Sequence, residues 1–278
     1  MTVMCVLDTH DGFYGLFLIY IITMTWYYYE NDRGEMMEHT QILTKASEWQ
    51  ALHITQQVDG YYVLMHGKTA VTTPNGRLVA HRNYELIALI QREAMLWEGL
   101  DVTAMRPYSL FCTQNDFVDQ GQDMVAEGLA HILAGHEPLF RAVPGPEQVD
   151  QMATWRCVWQ WLAVAGLRLP HLAHGGLLDA NGQQVQALVQ QTYAGLTVAQ
   201  RTGVISLFNR HDCGVLLPMM VVMGRCSSSA YVAAMCMAQM THPLFDTMDW
   251  AEYRTQFRFC EAEVQAVRDY IEASVLAV

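Results

Sequence analysis

Lysine is nearly missing from this chain. Among 278 residues only Lys45 and Lys68 carry an ammonium group, and Lys plus Arg number 16 against 28 Asp plus Glu, a formal net charge of −12. A nucleic-acid binder needs clustered cations that release counterions from the phosphate backbone, so this balance excludes nucleic acid as the favoured partner. Charge of either sign is scarce at 16% of residues, against roughly a quarter in an ordinary soluble domain. Hydrophobic residues reach 52%. Such a composition excludes intrinsic disorder and calls for extensive burial, in lipid or against protein.

Paired cysteines are lacking too. The seven are Cys5, Cys112, Cys157, Cys213, Cys226, Cys236 and Cys260, odd in number and never closer than ten residues apart. That excludes a disulfide framework and a CxxC metal or redox motif, and buried thiols in a reducing compartment are expected. Catalytic signatures are absent as well: the chain has no Walker loop, no GxGxxG, no GxSxG elbow and no HExxH helix. His171 and His174 flank a Pro/Gly loop without acidic or thiol companions, so no zinc site is expected there. His211-Asp212-Cys213 holds the residue types of a Cys/His nucleophile, but near neighbours on a helix do not face each other and no oxyanion motif is at hand. No catalytic residue, cofactor site or metal site is assigned, and the chain is read as a protein without enzymatic activity.

What is present begins with an apolar run. Residues 12–29, GFYGLFLIYIITMTWYYY, hold 18 positions without a charge. A helix of that length spans ~27 Å, close to the ~30 Å hydrocarbon core. Trp26 and Tyr27 to Tyr29 close it with rings suited to the headgroup level. Residues 1–32 contain neither Lys nor Arg, which argues against a secretory signal and against an Arg-rich transit peptide. A single transmembrane helix is the expectation, with a buried apolar segment as the alternative.

Further along, residues 59–73 read as two strands with a turn at His66-Gly67, and Pro74-Asn75-Gly76 as a second turn before a short strand at Leu78-Val79. From Asn83 to Glu98 the period becomes helical, with Leu86, Ile87, Ile90, Ala94 and Trp97 on one face. Arg106-Pro107 interrupts before an apolar stretch from Tyr108 to Val118. Beyond about residue 120 helical patterns dominate. Pro144 to Glu147 opens one helix, residues 183–209 and 213–224 are apolar and periodic, Ser227 to Ser229 precede another helix as its N-cap, and a last helix runs from Trp250 to Leu276. Trp155, Trp159 and Trp161 are expected in core or interface positions. The fold class is α+β. An extension over 1–40 carries the membrane helix, a small β-rich domain with a flanking helix covers 41–118, and an all-helical domain covers 119–278.

Three stretches carry a resemblance. His66-Gly67-Lys68, then Thr73-Pro74 with Gly76 and Leu78, then Glu93 with Trp97 and Met105-Arg106-Pro107, form the first. Phe140-Arg141-Ala142, Pro146-Glu147, Gln151, Trp155 and Trp161 form the second, and GVLLPMMVVMGRCSSSAYVAA the third. In order and spacing these are similar to the Atp12 family, assembly chaperones of the mitochondrial F1-ATPase. The resemblance implies a β-rich domain followed by a helical one, and a protein that binds the free F1 α subunit without catalysis. The chain departs from the family in three ways: residues 235–240, MCMAQM, hold no acid where the family has one, the Trp-Gly near His242 to Asp249 is missing, and a membrane helix is expected in residues 12–29. The first functional expectation is therefore an accessory, structural subunit of the mitochondrial F1Fo-ATP synthase, anchored in the inner membrane with its bulk on the matrix side. The alternative is an assembly chaperone for free α subunit. The partner-contact candidates implied by the resemblance are His66, Lys68, Thr73, Pro74, Trp97, Trp155 and Gln239.

Overall fold

The computed structural model describes residues 51–96, 106–135, 137–140, 153–170, 179–211, 213–240 and 250–275. Its first element is a strand that the sequence pattern left unassigned. β1 (Leu52–Gln56) runs antiparallel to β2 (Tyr62–His66), in register from Leu52 opposite His66 to Gln56 opposite Tyr62. The expected reversal is present: Gly67 and Lys68 turn the chain into β3 (Thr69–Ala70), where Thr69 lies opposite His66. The chain then leaves the sheet. Thr72 bridges Leu78 in a small second hairpin that turns at Pro74-Asn75-Gly76. It rejoins β2 through β4 (Ala80–His81), with Ala80 opposite Val63. Three amides close the base of this excursion: Val71 donates to Leu64, Val79 to Val71 and Leu64 to Val79, each at 2.9 Å. The strand expected at Leu78-Val79 is displaced to Ala80–His81 because Leu78 is spent on the hairpin bridge.

α1 (Tyr84–Leu96) lies on this sheet and buries Leu86, Ile87, Ile90 and Ala94, the face expected from the 3.6-residue period. Gln91 ties it to β1 by donating to the Leu52 carbonyl at 2.8 Å. Asn83 stands at its start. Its Oδ1 accepts the Glu85 amide at 3.1 Å, and its Nδ2 donates to the Ala273 and Val275 carbonyls at 2.7 Å each. One side-chain amide thereby satisfies a spare N–H at the head of one helix and spare carbonyls at the tail of another.

α2 (Arg106–Asp116) contains Pro107 in its first turn. The proline does not interrupt here as expected, because the first turn of a helix has no use for that N–H. After a 3₁₀ turn (Val118–Gln120) come α3 (Met124–Gly135), a second 3₁₀ turn (Pro138–Phe140), α4 (Arg156–Val164), α5 (Ala180–Ala194) and α6 (Val198–His211). The apolar stretch 183–209 is two helices rather than one. Thr197 Oγ1 accepts the Gln200 amide at 3.2 Å while Gln200 Oε1 accepts the Thr197 amide at 3.0 Å, a reciprocal cap that starts α6 afresh. α7 (Leu216–Val222), α8 (Ser228–Met240) and α9 (Trp250–Ser274) complete the chain, and Ser227 caps α8 through the Ala230 amide at 3.2 Å, as expected.

The centre of the helical body is α7, LLPMMVV, all seven residues of which are buried. A helix apolar on every side has to be surrounded, and α4, α6, α8 and α9 all pack on it. α6 and α9 approach closely at Gly203, where a Cβ would stand 2.7 Å from a Val267 methyl. α9 also packs on α1 and α2, so the final helix reaches back to the sheet end of the molecule. The architecture is thus mixed, a small antiparallel sheet with mostly helices. Among the described residues no helix is long and apolar enough to cross a membrane. The segment 12–29 expected to do so lies outside the described residues, as do His171, His174 and residues 144–147.

Candidate functional site

The expected partner-contact residues occupy separate places. His66 ends β2 and is half-buried, Lys68 is exposed in the turn that follows, and Pro74 is half-buried in the second turn. Thr73 is buried at 3% exposure. Its hydroxyl donates to Asp116 Oδ1 at 2.7 Å and accepts the Arg77 amide at 3.1 Å, while the Asn75 amide donates to Asp116 Oδ2 at 3.3 Å. Tyr108 adds a fourth tie, donating to the Thr72 carbonyl at 3.0 Å. The second hairpin is therefore clamped to α2 by a carboxylate that accepts from its turn. Burial raises the Asp116 carboxyl above its ordinary value, with the Thr73 and Asn75 hydrogen bonds and the Arg77 guanidinium pulling the other way. Trp155 is buried beneath α8, and its indole N–H donates to the Ala234 carbonyl at 3.3 Å. Gln239 belongs to the last turn of α8. Trp97 lies outside the described residues.

Two further polar groups sit inside the helical body, and neither was picked out as a unit from the sequence. The first is Glu137, which is fully buried. Its Oε2 accepts the Val215 amide at 2.9 Å and the Leu216 amide at 3.3 Å. α7 is enclosed by protein, so its leading amides have no water to turn to, and a carboxylate from far up the chain takes that role. Gly214, at φ +70°, makes room: a Cβ there would lie 2.5 Å from the same carboxylate.

The second is a chain of hydrogen bonds joining α6, α8 and α9. Cys213 Sγ lies 3.0 Å from Tyr231 Oη, which lies 2.9 Å from His211 Nδ1. His211 Nε2 lies 2.8 Å from Glu263 Oε2, and Arg210 donates to Glu263 Oε1 at 2.8 Å. Thiol, phenol and imidazole each carry a proton to give, and the Glu263 carboxylate at the end of the chain accepts. Burial, with the Cys213 thiol next, raises Tyr231 well above its ordinary value, so it stays a phenol. His211 and Cys213 are linked through the hydroxyl of Tyr231, which comes from another helix. Cys213 is fully buried, and the cleft beside Arg210 and Glu263, walled by Ser109, Ser206 and Val267, is a water-sized space with no room for a substrate.

Among the described residues no group of three or more His, Cys, Asp and Glu side chains could hold a metal ion. The six described cysteines are thiols, five buried and Cys157 half-buried, in line with expectation.

No family model matches the sequence, and no curated protein matches it. The crystal structure of Atp12 from Paracoccus denitrificans superposes with a TM-score of 0.62 at 19% identity, over 82% of this chain and 100% of that one. The chain has an Atp12-like fold. An aspartate-to-lysine mutant of the same Paracoccus protein gives a TM-score of 0.59 at 19% identity, over 82% of this chain and 98% of that one. The Atu1473 protein of Agrobacterium tumefaciens, a candidate chaperone, gives 0.62 at 14% identity, over 85% and 97%. Near-complete coverage of each neighbour means that the Atp12-like scaffold includes both the sheet and the helices around α7. At these identities the likeness is one of fold.

Proposed function

We propose that this Atp12-like chain is a non-catalytic binding protein that acts as an assembly chaperone, holding an unassembled subunit of the F1 portion of ATP synthase. The observation that carries the reading is the whole-length match to the fold of Atp12. A body whose buried polar groups serve to cap helices and lock hairpins agrees with it. The α subunit is the partner the family resemblance implies, and the mitochondrial matrix side of the inner membrane is the corresponding place. The fold likeness favours this transient role over the permanent accessory subunit expected first. The permanent role keeps one observation in its favour, the absence of any acid from residues 235–240 where the family carries one.

Size-exclusion chromatography separates the two. The purified full chain is mixed with isolated α subunit and, separately, with assembled F1. A chaperone forms a complex with the isolated subunit and none with assembled F1. Equal amounts of this chain in intact synthase after carbonate washing would replace the chaperone with a resident subunit, and binding to neither would sink both.

A further inference from the structure

The sheet end of the molecule is charged unlike the rest. Residues 51–96 hold four cations, Lys68, Arg77, Arg82 and Arg92, against three acids, Asp59, Glu85 and Glu93, in a chain whose formal net charge is −12. The same end shows apolar surface. Among the described residues seven large apolar side chains stand exposed. Three of them, Val58, Tyr84 and Val275, belong to the end of the sheet where β1 turns into β2 and β4 leaves.

Short contacts join these residues into one strip. Val58 sits in the turn closed by the Gln57 amide, which donates to the Tyr61 carbonyl at 2.7 Å. Tyr62 opposes His81, so Tyr61 falls opposite Arg82, and the guanidinium carbon lies over the Tyr61 ring, 5.1 Å from its centroid. Tyr62 meets Tyr84 edge to face, with ring centroids 5.3 Å apart. Asn83, between Arg82 and Tyr84, donates to the Val275 carbonyl at 2.7 Å, which sets the tail of α9 beside Tyr84.

Arg82 is exposed and forms no ion pair among the described residues. Asp59 is spent on its own turn, where it accepts the Tyr61 amide at 3.2 Å. A guanidinium held over a ring keeps N–H donors for a carboxylate and is partly ordered before any partner arrives. Tyr and Arg beside aliphatic surface are the residue types on which interface energy concentrates. Charge selects the partner: an acid is attracted to this end and repelled by the net charge of the chain as a whole.

We propose, resting on the chaperone reading, that the strip of Val58, Tyr61, Arg82, Tyr84 and Val275 is the docking surface for the unassembled subunit. It takes an apolar face of that subunit carrying one carboxylate, which pairs with Arg82.

Biolayer interferometry of isolated F1 α subunit on the immobilised full chain tests this. Val58→Asp places a carboxylate at a fully exposed position, where the fold is not disturbed, and Arg82→Glu reverses the charge. Each should weaken binding at least ~10-fold, and Tyr84→Ser should do the same by removing apolar area. Added salt should weaken wild-type binding more than that of Arg82→Gln. Val164→Ser, at the exposed end of α4, should leave binding unchanged. Wild-type binding that every variant retains overturns the strip and leaves the chaperone reading standing. Loss in Val58→Asp and Tyr84→Ser alone overturns the carboxylate pairing. No binding by wild type removes the chaperone reading and this surface together. An Arg82-dependent dimer of the chain in the absence of the subunit overturns the proposal by giving the strip to a second copy.

Discussion

The carboxylate of Glu137 accepts the amide of Val215 at 2.9 Å across 78 residues of chain. It is the group that lets an entirely apolar helix begin inside protein.

That contact makes Gly214 and Glu137 a mutually dependent pair. Gly214→Ala forces a side chain into left-handed backbone and into the carboxylate, and should lower the unfolding free energy by about 2–4 kcal/mol. Glu137→Ala, which strips acceptors from the Val215 and Leu216 amides, should cost a similar amount, and Glu137→Gln less because one oxygen remains. Urea unfolding followed by circular dichroism measures all three. A Gly214→Ala protein as stable as wild type would show that the carboxylate can move aside.

The hydrogen-bonded chain from Cys213 to Arg210 should behave as one unit. Tyr231→Phe removes the hydroxyl that His211 and Cys213 share, at about 1–3 kcal/mol. Glu263→Ala takes the carboxylate from both Arg210 and His211, at about 3–5 kcal/mol. The double variant should be less destabilised than the sum of the two singles. Strict additivity in the urea midpoints would show instead that the two ends act separately.

Asp116 predicts a pH dependence of stability. Its folded-state pKa lies above the ordinary 3.8, chiefly through burial. Between those two values the folded chain binds more protons than the unfolded one, so unfolding free energy falls as pH rises through that window and levels off above it. Asp116→Asn has no proton to lose. The stability of wild type relative to this variant should therefore decline as pH rises above the ordinary value of 3.8 and level off once the folded-state carboxyl has ionised. A relative stability that climbs over the same range contradicts the assignment.

Surface and clamp can be told apart in the hairpin region. Lys68 is exposed and Thr73 buried. Lys68→Glu should leave the thermal midpoint unchanged and slow association with isolated F1 α subunit about 3–10-fold, as rim charges do. Thr73→Val should lower stability by about 1–3 kcal/mol by removing the bond to Asp116. Biolayer interferometry and thermal melts on the same samples give both readings. An unchanged association rate for Lys68→Glu removes that turn from the interface.

How legible was this molecule? Local rules served where one signal sufficed: α1 from its apolar period, the turns at Gly67 and Gly76, the Ser227 cap. They failed where the deciding partner is distant. β1 alternates weakly, with only Leu52 buried, and its pairing with β2 is a tertiary fact. The break at Gly195 to Thr197 was written in a Thr-x-x-Gln cap that could have been read directly, but the apolar content on both sides masked it. Thr73, read as a contact residue, is held in the interior by Asp116. The bonds from Glu137 to α7 and those of the His211 chain could not be found by spacing, since they join residues between 18 and 79 positions apart.

Asn83 also bears on the order in which this protein is made. The side chain that heads α1 is bonded to carbonyls 190 and 192 residues downstream. A ribosome releases the sheet long before it releases those carbonyls, so the first part of the body to emerge waits for the last helix to lock it. Until then the sides of α1 and α2 that pack against the final helix are open to solvent. A chain proposed to shelter an unfinished subunit is, during its own synthesis, an unfinished subunit in need of shelter.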